Sequence, residues 1–291
     1  MGTRAGQLLH SVGDILSFVV ASAIAPLPMR TWPAVTGLAG RLSPARGRRR
    51  RRLAPWESAW FAGHPIDRGV RAAAASLRVR AVAVRGICRR PLPTIPLRDA
   101  AALREALADG QGALVWVVPT RMSDLLSKKA LADAGIRAVH LSRTRHGAWR
   151  STVGQQLNRW VRAAEDRYLG GRVMIADGNE PSALRQLVRA LKAGACVTIR
   201  LGDGASTAHR LPFLGGSIRI PDGPVRIARA AGSPLFAMAV LPTGPGQWTA
   251  VVDGPIPTGG DPAEALDELV RLIRAYVERD PQPFIGMLPA R

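Results

Sequence analysis

Cysteine is nearly absent: Cys88 and Cys196 are the only two, they stand far apart, and neither belongs to a CxxC pair. That scarcity excludes a disulfide framework and a cysteine-built zinc site, and it suits a reducing compartment. Both are read as small buried apolar residues. Lysine is scarce too. Among 41 basic residues only Lys128, Lys129 and Lys192 are lysine, so arginine supplies nearly all of a formal net charge of +20. There is no apolar run long enough to cross a bilayer. The cleanest one, over 15–27, falls short of the ~20 residues a span needs. Internal repeats, a long disordered tail and a phosphate-binding Walker loop are also missing; Gly202-Asp203-Gly204-Ala205-Ser206 lacks the spacing and the Gly-Lys-Ser/Thr ending. A charge of +20 attracts phosphate on nucleic acid or on anionic lipid. No nucleic-acid-binding module is recognisable, so nucleic acid is not an expected partner. A GC-rich genome explains the arginine skew as well as a function does.

What remains is a chain of 291 residues, 47% apolar, with 30 glycines and 23 prolines. It can bury a large core broken by many turns. The N-terminal stretch over 8–28 is mostly apolar, with Asp14 dividing it. Val12, Ile15, Leu16, Val19, Val20, Ala23 and Ile24 recur at helical spacing, and Pro26 and Pro28 stop the helix. A cleaved secretory signal competes with this reading, because Ala21-Ser22-Ala23 has small-residue spacing, but Asp14 and Pro26 argue against it. Beyond comes the basic run over 46–52, in which Arg48, Arg49, Arg50, Arg51 and Arg52 are consecutive. Beside an apolar helix such a run reads as a contact for an anionic leaflet, each arginine contributing on the order of 1 kcal/mol. Trp32, Trp56, Trp60 and Phe61 flank it, as suits amphipathic rings at headgroup level. A solvated charge run is the plainer alternative.

From about residue 70 strand and helix alternate. Helices are expected over 70–84, 98–108, 122–134, 153–167 and 181–192, a short one from Asp222-Gly223-Pro224 to Gly232, and a last one opening at Asp261-Pro262. Strands are expected over 113–118, 137–141, 172–175, 195–201, 235–241 and 248–252, with a proline-rich connector over 88–96. The strands are wholly apolar and alternate with helices, which predicts an α/β fold: a mostly parallel sheet covered by helices on both faces. Sites in such sheets gather at the carboxyl ends of the strands. The expected organisation is a membrane-anchoring segment over 1–45, a basic and proline-rich helical connector over 46–97 and an α/β domain over 98–291.

The second half carries a series of motifs in order. The helix over 184–194 leads into Ala195-Cys196-Val197-Thr198-Ile199-Arg200-Leu201-Gly202-Asp203. Then come Leu211-Pro212-Phe213-Leu214-Gly215-Gly216, Ile220-Pro221-Asp222-Gly223-Pro224, Gly232-Ser233-Pro234-Leu235 and Asp280-Pro281-Gln282-Pro283-Phe284. Their order over about 100–285 resembles the lipid A biosynthesis (LpxL/HtrB-like) branch of the lysophospholipid acyltransferases. The resemblance implies a glycerol-3-phosphate acyltransferase-like fold and transfer of a fatty acyl chain from acyl carrier protein or acyl-CoA to a lipid or glycolipid hydroxyl. It implies work at the cytoplasmic face of a bacterial inner membrane, with membrane lipids and acyl carrier protein or acyl-CoA as partners and neither cofactor nor metal. By the same resemblance Arg143 and Asp203 contact substrate, and Phe213, Gly215 and Gly223 shape the acceptor groove.

One motif departs. The family carries His-x4-Asp/Glu after the strand equivalent to 113–118, because an attacking hydroxyl must lose its proton to a base that a carboxylate orients. Here Asp124 is present and the base position holds Pro119. None of His10, His64, His140, His146 and His209 has an acid five residues on, so the motif is absent rather than displaced. Two functions stay open: acyl transfer by an altered mechanism, or an inactive relative that binds lipid or acyl carrier as a regulator or partner.

Overall fold

The structure, a computed structural model, describes residues 4–42, 54–62, 68–143, 149, 151–175, 180–201 and 208–288. Among the described residues four α-helices come first: α1 (Arg4–Ile24), α2 (Trp32–Leu42), α3 (Pro55–Ala62) and α4 (Arg68–Ile87). The sheet region runs β1 (Leu97–Arg98), α5 (Ala101–Ala108), β2 (Ala113–Val117), α6 (Ser123–Asp133), β3 (Val139–Arg143), α7 (Thr152–Asp166), β4 (Gly171–Ile175), α8 (Glu180–Lys192) and β5 (Cys196–Arg200). A hairpin, β6 (His209–Phe213) and β7 (Gly216–Ile220), precedes α9 (Gly223–Ala231), β8 (Leu235–Gly244), β9 (Gln247–Ile256) and α10 (Pro262–Arg279).

The seven-stranded sheet has the order β1-β9-β8-β2-β5-β3-β4. From β8 to β4 every pairing is parallel; β9 runs antiparallel to β8, and β1 pairs parallel with β9. All five residues of β2 are buried, as a central strand covered on both faces requires. Its side chains alternate between two cores. Leu114 and Trp116 meet α8, α9 and α10, whereas Ala113, Val115 and Val117 meet α5, α6, α4 and the inner side of α1.

Two local departures from the sequence expectation have physical causes. The helix expected from residue 98 begins at Ala101, because Leu97–Arg98 pair with Ala250 and Val251 of β9 and Asp99 then turns the chain at φ 57°. Aspartate is among the few residues that tolerate that conformation. The segment over 211–216 lies in the β6–β7 hairpin, whose two-residue turn, Leu214-Gly215, has positive φ at both positions. That is the backbone a tight hairpin favours, but leucine gives no hint of it.

The N-terminal helices pack on the sheet domain. Asp14 faces inward: its carboxylate accepts from the Ser151 amide at 2.9 Å, at the start of α7, where a negative charge suits the helix dipole. The indole of Trp149, 1% exposed, donates to Ser17 at 3.2 Å. Arg85 of α4 donates to the Ala25 carbonyl, just past the end of α1, at 2.7 Å. So α1 has two unlike sides. Ala21, Ile24 and Ala25 are buried, while Val12, Ile15, Leu16 and Val19 are exposed, Leu16 at 59%. Among the described residues no helix is long and apolar enough to cross a membrane.

α2 lies against α4 through a close backbone approach. A Cβ on Gly40 would stand 2.7 Å from the Val70 carbonyl oxygen, while one on Gly37 would meet nothing within 4 Å. Gly40→Ala therefore forces the helices apart and lowers stability by about 1–3 kcal/mol. Gly37→Ala raises it by up to about 1 kcal/mol through helix propensity. Urea denaturation of the two variants checks the opposite signs.

Candidate functional site

The chain leaves β2 through a turn held at every step. Val118 donates to Met238 O at 2.8 Å, the Thr120 hydroxyl to Val240 O at 3.0 Å, and the Arg121 amide to Pro283 O at 3.0 Å. Ser123 closes the turn, its hydroxyl donating to Thr120 O at 3.0 Å and accepting from Thr120 N at 3.2 Å. Pro119 is buried within it. The result is a rigid mount for the first turn of α6, where Asp124 sits.

The partner brought to Asp124 is Arg200, at the end of β5, with Nε 3.1 Å from Oδ1 and both side chains partly exposed. Strand alternation explains the meeting: Cys196, Thr198 and Arg200 share the α6 side of the sheet. Below it, Lys128 Nζ donates to the Asp124 carbonyl at 2.6 Å and pairs with Glu165 of α7 at 3.0 Å, both side chains 2% exposed. Glu165 also receives Arg172 of β4 at 2.9 Å, and Arg172 reaches Asp166 at 2.7 Å and the Ser142 hydroxyl at 3.0 Å. This buried ion cluster ties α6, α7, β3 and β4 together.

Arg143 does not join Asp124. It shares its side of β3 with Val139 and Leu141, which pack toward α8, and its guanidinium lies 3.6 Å from Glu180 at the start of α8. Asp124 is on the opposite face of the sheet, so one cleft shared by the two is not what the fold builds. Asp203, the arginines at 48–52 and His146 lie outside the described residues. Phe213 is 1% exposed and meets Trp56 edge-on at 6.3 Å, a core position rather than a groove wall. Gly215 serves the hairpin turn and Gly223 begins α9. His140 Nδ1 pairs with the Thr198 hydroxyl at 2.9 Å inside the sheet, and His209 lies 3.6 Å from Asp222.

Two cavities flank Arg121. The one shared with Asp124, Leu125 and Glu165 measures about 40 Å³, room for little more than a water molecule. The other measures about 420 Å³, within the ~300–1,000 Å³ usual for small-molecule sites. It is walled by α2 (Ala34, Gly37, Leu38, Arg41), α4 (Arg71, Ala74, Ala75, Arg78) and Trp60. The α4 residues fall at i, i+3, i+4 and i+7, one helix face. Burial lowers the Arg121 guanidinium to about 10; the nearby Arg78 charge adds to this and Glu57 opposes it. Burial lowers Arg78 as well.

Sequence reasoning passed over Arg200, Lys128, Arg121 and Arg78. A signal existed for two. Arg200 follows Thr198 by one strand period, and Lys128 is one of only three lysines in an arginine-rich chain. A compact ammonium fits a buried point contact that a guanidinium fork does not. Neither a protein-family model nor a curated protein matches the sequence.

Removing one member of a buried ion pair leaves the other unpaired, at about 3–5 kcal/mol. Lys128→Met is expected to destabilise by that amount. Lys128→Met combined with Glu165→Gln should cost clearly less than the sum of the single changes, read from a double-mutant cycle of denaturation midpoints.

Proposed function

We propose that this is a peripheral membrane protein on an acyltransferase-like scaffold that binds lipid or acyl carrier without transferring the chain. The observation that carries binding over transfer is the turn after β2. A buried proline fills the position where the resemblance places a base, and the Asp124 carboxylate is drawn onto Arg200. A carboxylate held by a guanidinium orients no imidazole, and an acceptor hydroxyl there gains none of the ~10²–10⁴ in rate that general-base help supplies. The space beside Asp124 also does not suit an alkyl chain, whereas the cavity across Arg121 does.

The membrane part of the reading is supported by α1. Its outward side offers Val12, Ile15, Leu16 and Val19 to solvent, and Trp160 of α7 is exposed as well. Phe18 bridges α1 to Trp160, with ring centroids 6.4 Å apart. Contiguous exposed apolar surface marks an interaction face. An apolar helix face, followed in the sequence by a basic run, supplies two anchoring contributions where one alone is marginal. Acyl transfer is the second reading, favoured by the retained carboxylate at the head of α6.

Flotation with phosphatidylglycerol vesicles tests the first part. The wild type is expected to float and Leu16→Glu/Val19→Glu to stay with the soluble fraction, while neutral phosphatidylcholine vesicles capture less. Incubation with radiolabelled palmitoyl-CoA or palmitoyl-acyl carrier protein plus membrane lipids tests the second. No labelled lipid should form, and product that disappears on Asp124→Ala would establish transfer instead.

A further inference from the structure

Arg41, Arg71, Arg78 and Arg121 converge on the 420 Å³ cavity, and none of the described side chains lining it is acidic. The Nε of Arg78 is buried without a hydrogen-bond partner among the described residues, a costly state for a cationic donor. Glu57, the carboxylate whose charge reaches Arg121, accepts from the Ala54 amide at 3.1 Å and the Gly286 amide at 2.7 Å. Gln282 apart, the rest of the wall is mostly apolar, and Gly37 leaves it open where a side chain would otherwise project. Two like charges in an apolar pocket are unfavourable alone and become favourable with an anion between them.

We propose that this cavity binds a single-chain anionic lipid, its head on Arg78 and Arg121 and its alkyl chain along Ala34, Leu38, Ala74 and Ala75. The proposal deepens the binding reading above and rests on it. The shared chemistry is an anionic oxygen head, a fatty-acid carboxylate or a lysophospholipid phosphate, which guanidinium groups hold by paired hydrogen bonds. Chain connectivity supports a membrane source: the basic run over 46–52 joins α2 to α3, both of which wall the cavity. Arg121 thus gives the turn after β2 a binding role in place of proton transfer.

Calorimetric titration of the full chain with 1-oleoyl lysophosphatidate, oleate and uncharged monoolein, each below its micelle concentration, tests it. Both charged lipids are expected to bind, and monoolein about tenfold more weakly or worse. Whichever charged lipid binds tighter identifies the head as phosphate or carboxylate. Arg78→Gln and Arg121→Gln should each weaken the charged lipids about tenfold and leave monoolein unchanged. Gly37→Trp, which keeps every arginine, should block all three. Head-group selectivity of the wild type needs no variant, so poor folding of an arginine variant leaves the test intact. Absence of charged-lipid binding, equal affinity for monoolein, inorganic phosphate binding as tightly as lysophosphatidate, or binding unchanged in Gly37→Trp overturns the proposal. Acyl transfer alongside arginine-dependent binding would overturn only the non-transferring reading, whereas vesicle capture without cavity binding would overturn only the lipid site in the cavity.

Discussion

An ammonium group withdrawn from water must find negative charge, and in this protein the burial of Lys128 organises the region around the site. Taking such an ion out of water costs several kcal/mol unless it is matched by close, well-directed partners. Glu165 supplies the charge and the Asp124 carbonyl a second acceptor. Glu165 in turn draws in Arg172, and Arg172 reaches Asp166 and Ser142. One buried cation therefore fixes how far α6 stands from α7, and through Arg172 it fastens both to strands β3 and β4. The head of α6 inherits that rigidity. Asp124 meets Arg200 from that anchored helix, and the cavity that Asp124 shares with Glu165 measures only about 40 Å³.

How much of this the sequence disclosed depends on how local the cause was. The wholly apolar residues at 113–117 announced a central strand, and Asp261-Pro262 announced the cap of α10, where the Asp261 side chain does accept from the Ala263 amide. The parallel sheet with helices on both faces followed from such patterns. The β6–β7 hairpin did not, since its turn uses leucine at positive φ. The edge strand β1 did not either, because two residues carry no period and their pairing with β9 is decided at Ala250 and Val251, far along the chain. Within the site, Asp124 was singled out on the resemblance, whereas its partner Arg200 was not. Arg143 was not legible as pointing to α8, because which face a strand residue takes is set by its neighbours in the sheet. The cavity was invisible for the same reason: α2 and α4 show their walls only once Gly40 brings them together.

The apolar spacing of α1 was legible, but its division was not. Counting apolar residues assigned them all to one face, whereas the fold sends Ile24 inward and leaves Val12, Leu16 and Val19 outward. Asp14, read from sequence as an interruption of the apolar run, proves to be the residue that turns the helix correctly, by holding the start of α7. A charge in an apolar helix can thus specify which side faces the core.

The placement of β2 has a consequence for how the chain is made. Its two neighbours are β5 and β8, so Leu114 finds its partner at Leu235 only after much of the later chain exists. Non-local parallel pairing is slow to form, and during synthesis at roughly 5–20 residues per second the middle of the sheet stays open for several seconds. Over that interval α1 is already made, while the core that receives its inner side still lacks Phe236, Met238 and Val240 of β8. The nascent protein is therefore stickier than the finished one, and a chaperone or a lipid surface has its best opportunity to meet that helix before the sheet closes.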